Sequence, residues 1–136
     1  MDPLSDWVID TVALIRHLED DLPPAAARAF SAAEAGKGRL FLPEIALGEF
    51  VYVALRGRLR AANPRGVLAE VLDLVRAANY VSVSCLRPSA WDVFLRIGIP
   101  ELHDRMIAAD AMDRAVPLIT NDPTFQRIED LHTVWQ

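Results

Sequence analysis

Short apolar segments alternate with longer helix-like segments along almost the whole chain, and this order restricts the possible folds more than any other feature. The apolar segments are 7–9, 40–42, 80–83, 117–120 and 132–135. The sequence predicts helices at 11–18, 25–35, 44–55, 65–78, 89–97 and 103–115, and a helical turn at 123–127. Strands that alternate with helices usually pair in parallel, and a parallel sheet needs helices on both faces. We therefore expect an α/β fold of three layers, α/β/α, with a mainly parallel sheet of about five strands.

The length and composition are those of one globular domain spanning residues 1–136. A chain of 136 residues can bury a substantial apolar core. Hydrophobic residues make up 52% and charged residues 24%, which excludes a disordered chain. Cys85 is the only cysteine, so an intramolecular disulfide and a cysteine-rich zinc site are excluded. The apolar fraction is slightly high for a small monomer and indicates a contact between subunits.

The charge balance argues against passive binding of nucleic acid. The 14 basic and 19 acidic residues give a net charge of −5, so a large basic field is absent. The first six residues are acidic and lack the basic region of a signal peptide. No uninterrupted apolar run approaches the roughly 18 residues of a membrane span. We expect a soluble cytoplasmic protein without a membrane partner.

Two carboxylates follow predicted strands, where the functional sites of open parallel sheets form. Asp10 comes directly after segment 7–9, and Asp122 comes after segment 117–120 with one asparagine between them. Aspartate is also a favoured helix N-cap, and Pro123 suits the first position of a helix. Taken singly, each of the two residues is interpreted more readily as a cap than as part of a site.

Two further carboxylates lie on predicted helix faces that are otherwise apolar. The helical neighbours of Glu49 are Ile45, Ala46, Tyr52 and Val53. The residues that share a face with Asp104 are Ile107, Ala108 and Ala111. Both carboxylates are therefore expected to point inward. Acidic residues are rarely buried without a partner, so an arginine partner for Glu49 and a capping role for Asp104 stay open.

The four acids together indicate a metal site more strongly than any one of them alone. One pair of like charges about 4 Å apart costs about 4 kcal/mol at an effective dielectric constant of about 20. Converging carboxylates therefore bind protons or a divalent cation. Ligation by carboxylate oxygens suits Mg²⁺, with Mn²⁺ as an alternative, and does not suit zinc. Because Mg²⁺ commonly binds substrate phosphates, we expect a phosphoryl substrate.

Four segments occur in the order found in PIN-domain ribonucleases. They read VIDT at 8–11, LPEIALGEF at 42–50, DRMIAADA at 104–111 and PLITND at 117–122, with Phe125 shortly after. Through these segments the chain resembles the PIN-domain family over essentially its whole length. Within that family it is similar to the VapC-type toxins of type II toxin–antitoxin pairs.

The resemblance implies an acidic Mg²⁺ site, a fold and a function. The site residues carried over are Asp10, Glu49, Asp104 and Asp122, with Thr120 supporting them through a hydrogen bond. The implied fold is a parallel sheet with helices on both faces. The implied activity is metal-dependent hydrolysis of RNA by a growth-inhibiting toxin, which forms a homodimer and is inhibited by a separate small antitoxin. Segments 25–35 and 44–55 are the candidate contact helices of the dimer.

The sequence departs from the family pattern at two positions near this site. Val12 stands where the family often has Ser or Asn, and Asp110 stands where it commonly has Thr. Asp110 lies one helical turn before Arg114, and we interpret the two as a surface ion pair outside the four-acid site.

Four arginines near the middle of the sequence are open to two interpretations. They are Arg56, Arg58, Arg60 and Arg65. They can bind an RNA backbone or a partner protein. They can equally complement a helix C-terminus and a solvated loop, as arginines at helix ends commonly do.

Other functions are separated from the ribonuclease by specific residues. A haloacid-dehalogenase phosphatase needs a second aspartate two residues after the first, and Val12 occupies that position after Asp10. A receiver domain of two-component signalling needs a lysine late in the chain, and no lysine follows Lys37. Another metal-dependent phosphohydrolase, and a PIN-fold module that binds RNA or protein without toxin activity, stay open as alternatives.

Overall fold

The computed structural model describes residues 5–77 and 79–136. Within this part of the chain, five parallel strands form one sheet in the order β3-β2-β1-β4-β5. The strands are β1 (Ser5–Ile9), β2 (Gly38–Pro43), β3 (Val81–Ser84), β4 (Leu118–Ile119) and β5 (Thr133–Val134). The expected sheet of about five parallel strands is therefore confirmed.

Seven helices connect these strands in the described part of the chain. They are α1 (Thr11–Leu18), α2 (Pro24–Glu34), α3 (Glu44–Leu55), α4 (Pro64–Ala77), α5 (Ala90–Arg96), α6 (Leu102–Arg114) and α7 (Pro123–Gln126). Each predicted helix is present, with its ends displaced by one residue at most; residue 78, the predicted end of the fourth, lies outside the described residues. None of the described helices has the length and apolarity needed to cross a bilayer.

The adjacent strands β1 and β4 are buried on both faces where they pair, as the three-layer α/β/α arrangement requires. Val8 and Ile9 are adjacent in β1 and therefore point to opposite faces, yet both are fully buried. Leu118 and Ile119 of β4 are also fully buried. Helices must cover both faces of the sheet at these two strands, which explains why their buried residues are consecutive apolar residues without alternation.

The chain changes direction across the sheet between β1 and β4. It begins in the central strand β1, moves outward through β2 to β3, and returns to β4 on the other side of β1. A crevice opens at such a point, beyond the carboxyl ends of the two strands. The fold therefore brings the segments after β1 and β4 together.

Asp110 and Arg114 form the predicted ion pair, but the pair is not on the surface. The Asp110 Oδ1 accepts a hydrogen bond from Arg114 Nε at 2.7 Å, and Oδ2 accepts one from the Ser84 hydroxyl at 2.9 Å. Only 1% of Asp110 is exposed. The surface assignment was wrong because α6 is packed on more than one side: residues 107–111 are all buried, so no face of that turn is free for solvent.

Candidate active site

Asp10 lies at the carboxyl end of β1 and has a hydrogen-bonding partner on each side. It is the N-cap of α1, where its Oδ1 accepts the backbone N–H of Ala13 at 2.9 Å. Its Oδ2 accepts the hydroxyl of Thr120, which follows β4, at 2.5 Å. The carboxylate is therefore both a helix cap and part of a contact between neighbouring strand ends.

Thr120 connects Asp10 to Asp122. The Thr120 hydroxyl donates to Asp10 and accepts the backbone N–H of Asp122 at 3.1 Å. Asp122 in turn caps α7, since its Oδ1 accepts the N–H of Thr124 at 2.9 Å. Thr120 itself is fully buried. This chain of hydrogen bonds holds the two strand-end aspartates near each other.

Asp104 enters the same region from the first turn of α6. Its backbone N–H donates to Glu101 Oε2 at 2.7 Å, so Glu101 is the N-cap of α6 and the predicted capping role falls to that residue. The pKa of the Asp104 carboxyl rises to about 6, mainly through burial and further through the negative charges of Glu101, Asp122 and Glu49. Three other carboxylates are thus close enough to act on Asp104.

Asp10 is affected in the same way. Burial is the main reason why its pKa rises to about 6, and the charges of Asp122 and Asp104 contribute. The hydrogen bonds from Thr120 and Ala13 oppose the rise. The negative charges of Asp122 and Asp104 raise the pKa of Asp10, and those of Asp122 and Glu49 raise the pKa of Asp104. The four carboxylates therefore form one electrostatically coupled cluster, in which Glu49 affects Asp104.

The chemistry of the donors in this cluster suits a divalent cation, although among the described residues the only three donor residues with ligand atoms within 4.8 Å of one another are Glu49, Glu101 and His103. The donors of Asp10, Asp104 and Asp122 are carboxylate oxygens at the starts of helices α1, α6 and α7, and such oxygens suit Mg²⁺ or Mn²⁺. Two buried or half-buried carboxyls with a raised pKa mean that negative charge is costly here without a counterion. A bound divalent cation removes that cost.

Glu49 is close to the cluster but does not point into the core as predicted. Its carboxylate is about half exposed, and its Oε2 lies 3.2 Å from the Nδ1 of His103, with no arginine partner among the described residues. The apolar neighbours of Glu49 did not predict its exposure correctly, because Tyr52, one turn later on α3, is itself 59% exposed. This face of α3 borders solvent beside the N-terminus of α6.

Glu101 and His103 are the two residues that the sequence interpretation missed or left aside. The Glu101 Oε1 lies 2.6 Å from His103 Nδ1, and this hydrogen bond raises the pKa of the imidazole. One donor atom from each of Glu49, Glu101 and His103 falls within 4.8 Å of the others, a spacing compatible with a shared cation. The sequence feature that could have identified Glu101 is its position three residues before Asp104, where an acidic residue can act as a helix N-cap.

Glu49 stands between two surface grooves. One has a volume of about 740 Å³ and is bordered by α3, α6 and the segment after β3. The other, of about 270 Å³, is bordered by α1, α3 and the chain after α3. A substrate that reaches the acids can therefore approach along either side of Glu49.

Residues 7–131 of the chain match the family model of the PIN domain. The chain belongs to the PIN-domain family. Members of this family are nucleases, and the match spans all four acids identified above. A search among curated proteins finds no match to the chain.

Solved structures share the fold of this PIN domain at low sequence identity. The crystal structure of VapBC2 from Rickettsia felis, bound to a DNA fragment from its promoter, has a TM-score of 0.72 at 14% identity and covers 96% of this chain and 99% of that one. VapBC-5 from Mycobacterium tuberculosis, of a toxin–antitoxin family, has a TM-score of 0.62 at 20% identity, with 97% and 99% covered. VapBC-1 from nontypeable Haemophilus influenzae has a TM-score of 0.58 at 22% identity, with 94% and 96% covered.

Proposed function

We propose that this PIN domain is a divalent-metal-dependent endoribonuclease that acts as the toxin of a toxin–antitoxin pair. The observation that supports the proposal is the electrostatic coupling of Asp10, Asp104 and Asp122, together with burial that helps to raise the pKa of Asp10 and Asp104 to about 6. A cluster of this kind favours a cation, and a cation beside a crevice favours a phosphate substrate.

The residues that would hold Mg²⁺ or Mn²⁺ are Asp10, Glu49, Asp104 and Asp122. When bound, the ion would neutralise charge on the phosphodiester and promote attack by water on phosphorus. Thr120 contributes by positioning, because its hydroxyl fixes one oxygen of Asp10 and the backbone of Asp122. These hydrogen bonds leave little freedom to the two strand-end carboxylates, so the site is largely preorganised.

RNA is the proposed substrate because its single-stranded segments are flexible. A flexible phosphodiester can align in line with the attacking water, whereas a rigid duplex aligns less easily. Access for such a strand is favoured because Glu49 lines two surface grooves. The retention of all four acids favours a nuclease over a module that only binds RNA or protein.

The similar structures support the proposal of a protein partner. They are of VapBC complexes, and one of them is described as a member of a family of toxin–antitoxin systems. A further similar structure, FitAB bound to a DNA fragment, has a TM-score of 0.61 at 17% identity. For this chain we therefore propose an antitoxin partner, a homodimer and a cytoplasmic location, as expected for a toxin that acts on cellular RNA.

Replacement of Asp10 distinguishes a catalytic role of this residue from a role only as the N-cap of α1. Asp10→Asn keeps the size of the side chain and caps a helix about as well as aspartate, but it removes the charge. We expect cleavage of a pool of single-stranded RNAs to fall by at least about 100-fold, as is typical when a catalytic group is lost, and EDTA to abolish it in the unsubstituted protein. Asp92→Asn, an exposed aspartate of α5, is the matched control and should cleave normally.

The same variants test the toxin role in cells. Expression of the unsubstituted protein without a partner should arrest growth, and Asp10→Asn and Asp122→Asn should relieve the arrest while Asp92→Asn does not. Cleavage that survives both chelation and Asp10→Asn would rule out the metal-dependent mechanism.

A further inference from the structure

We propose that the segment linking α3 to α4 holds the backbone of the RNA substrate through Arg58 and Arg60, in the smaller groove beside the acid cluster. This inference rests on the proposed ribonuclease function and adds the surface that retains the substrate strand.

The groove contains one of the four acids, Glu49, together with the two arginines. Its lining includes Thr11, which directly follows Asp10, and Glu49 of α3. The linker contributes Arg58 and Arg60 to the same groove. A strand whose phosphodiester lies at the acid cluster can therefore extend along α1 and α3 and reach both guanidinium groups.

The end of α3 places Arg58 over the last turn of that helix. Gly57 has a φ of +67°, a left-handed conformation that glycine adopts readily. The Gly57 N–H donates to the Ala54 carbonyl at 3.1 Å, and the Arg58 N–H donates to the Val53 carbonyl at 3.0 Å. These two bonds form a Schellman motif, which ends the helix and turns the chain back along it. The linker is thereby held against the groove.

The linker beyond Arg58 alternates between exposed and half-buried residues. Leu59 and Ala61 pack against the hydrophobic core, whereas Arg58 and Arg60 are exposed. The N–H of the next residue, Ala62, donates to Glu19 Oε2 at 3.3 Å and attaches the linker to the end of α1. The apolar anchors leave the two arginine side chains to face the solvent.

The two arginines are available for a phosphate. Within residues 5–77 and 79–136, neither Arg58 nor Arg60 forms an ion pair or a side-chain hydrogen bond. Arg56 differs, because it donates to the Tyr52 hydroxyl at 2.7 Å and lies over that ring. A chain with a net charge of −5 needs local cations to bind an RNA strand, and these two arginines line the same groove as Glu49.

The larger groove on the other side of Glu49 is less suited to a phosphate chain. Its described lining holds the exposed carboxylates of Glu44 and Glu49 and the imidazole of His103, while Asp110 is buried and paired with Arg114, and it contains no arginine or lysine. A phosphodiester backbone in that groove would meet carboxylates. The charges therefore favour the smaller groove for the RNA backbone.

Binding of RNA without cleavage tests this proposal. The probe is a fluorescein-labelled single-stranded RNA of mixed sequence, titrated in EDTA at several low salt concentrations and followed by anisotropy. We expect Arg58→Ala and Arg60→Ala each to weaken binding several-fold, and the double variant to weaken it by about 10-fold or more. Each lost phosphate contact should also reduce the slope of log K against log salt by about 0.7. Arg28→Ala, an exposed arginine of α2 outside the groove, is the matched control and should bind as the unsubstituted protein does.

The outcomes separate this inference from the nuclease proposal. If the double variant keeps both the affinity and the salt slope, the inference is wrong, and the arginines are then candidates for an acidic segment of a partner protein. If Arg28→Ala weakens RNA binding as much as the substitutions of Arg58 and Arg60 do, the inference is also wrong. The loss of affinity would then come from the change in total charge of the protein. If the unsubstituted protein binds RNA through Arg58 and Arg60 but never cleaves it, the nuclease proposal fails and this inference stands.

Discussion

Asp10 illustrates how one side chain in this protein serves the fold and the candidate site at once. As the N-cap of α1 it satisfies the N–H of Ala13, and through Thr120 it links the ends of β1 and β4. The same burial that makes these contacts strong raises its pKa to about 6. Its charge is therefore a cost to stability that a cation at the site would offset.

Removal of that charge should stabilise the metal-free protein. Because the pKa of Asp10 is about 6 in the folded state and 3.8 for an unperturbed aspartate, the folded state binds more protons between these values. Stability should thus fall as pH rises from about 4 to 6 and stay reduced above this range. In EDTA at about pH 7.5, Asp10→Asn should raise the free energy of unfolding by about 1–3 kcal/mol, since one pKa unit corresponds to about 1.4 kcal/mol.

Urea unfolding across that pH range measures the effect. The gain in the free energy of unfolding from Asp10→Asn should shrink toward zero below about pH 4, where the aspartate is protonated in both the folded and the unfolded state. A variant that is less stable than the unsubstituted protein at every pH would show that the capping and Thr120 contacts outweigh the buried charge.

At the scale of secondary-structure elements, the helix ends decide how the chain enters and leaves the site. The Schellman motif after α3 turns the chain back toward the groove, and the N-cap Glu101 sets the first turn of α6 on which Asp104 lies. The backbone conformation at the C-terminal end of α6 is less favourable than that at the end of α3. The C-cap of α6, Ala115, has φ 56° and ψ 43°, a left-handed conformation that strains a residue with a Cβ.

Ala115→Gly should therefore stabilise the protein. Glycine adopts this conformation without the strain of a Cβ, although it adds freedom to the unfolded chain. We expect a net gain of about 0.5–1 kcal/mol in the free energy of unfolding, measured by urea denaturation. Ala35→Gly is the matched control: Ala35 is also an exposed helix C-cap, but its φ is −82°, so no gain should appear. Equal effects in both variants would contradict the explanation.

At the scale of the whole molecule, several large apolar side chains remain exposed in the single subunit. Leu95 of α5 is 75% exposed, and Trp91, one turn earlier, is 45% exposed. In contrast, Phe30 and the other buried apolar residues of α2 already belong to the core of the subunit. Of the two helices predicted for a dimer contact, α2 has little apolar surface to offer, whereas α3 exposes Tyr52 and Leu55.

The expected homodimer should bury the apolar face of α5. We predict that the unsubstituted protein sediments as a dimer at micromolar concentration and that Leu95→Asp sediments as a monomer, because a charge at the centre of an apolar contact is costly. Leu55→Asp tests in the same way the face of α3, one of the two helices predicted for a dimer contact. If only Leu55→Asp sediments as a monomer, the subunit contact lies on α3. If the unsubstituted protein sediments as a monomer, the predicted dimer is wrong.

Local patterns in the sequence determined the elements and two of the candidate acids. Helix α3 begins after Pro43 and ends before Gly57 as predicted, since prolines and glycines interrupt helices by their own backbone geometry. Asp10 and Asp122 were identifiable because a residue after an apolar strand lies at the edge of the sheet, whatever packs around it. The α/β class followed in the same way from the alternation of elements.

Only the tertiary structure decided the environments of the charged side chains. Glu49 is exposed and Asp110 is buried, the reverse of what their helical neighbours indicated, because burial depends on which elements pack against α3 and α6. The predicted strands 117–120 and 132–135 shorten to two paired residues each. Likewise, residues 101 and 103 meet Glu49 across two helices, a contact that no spacing along one helix can encode.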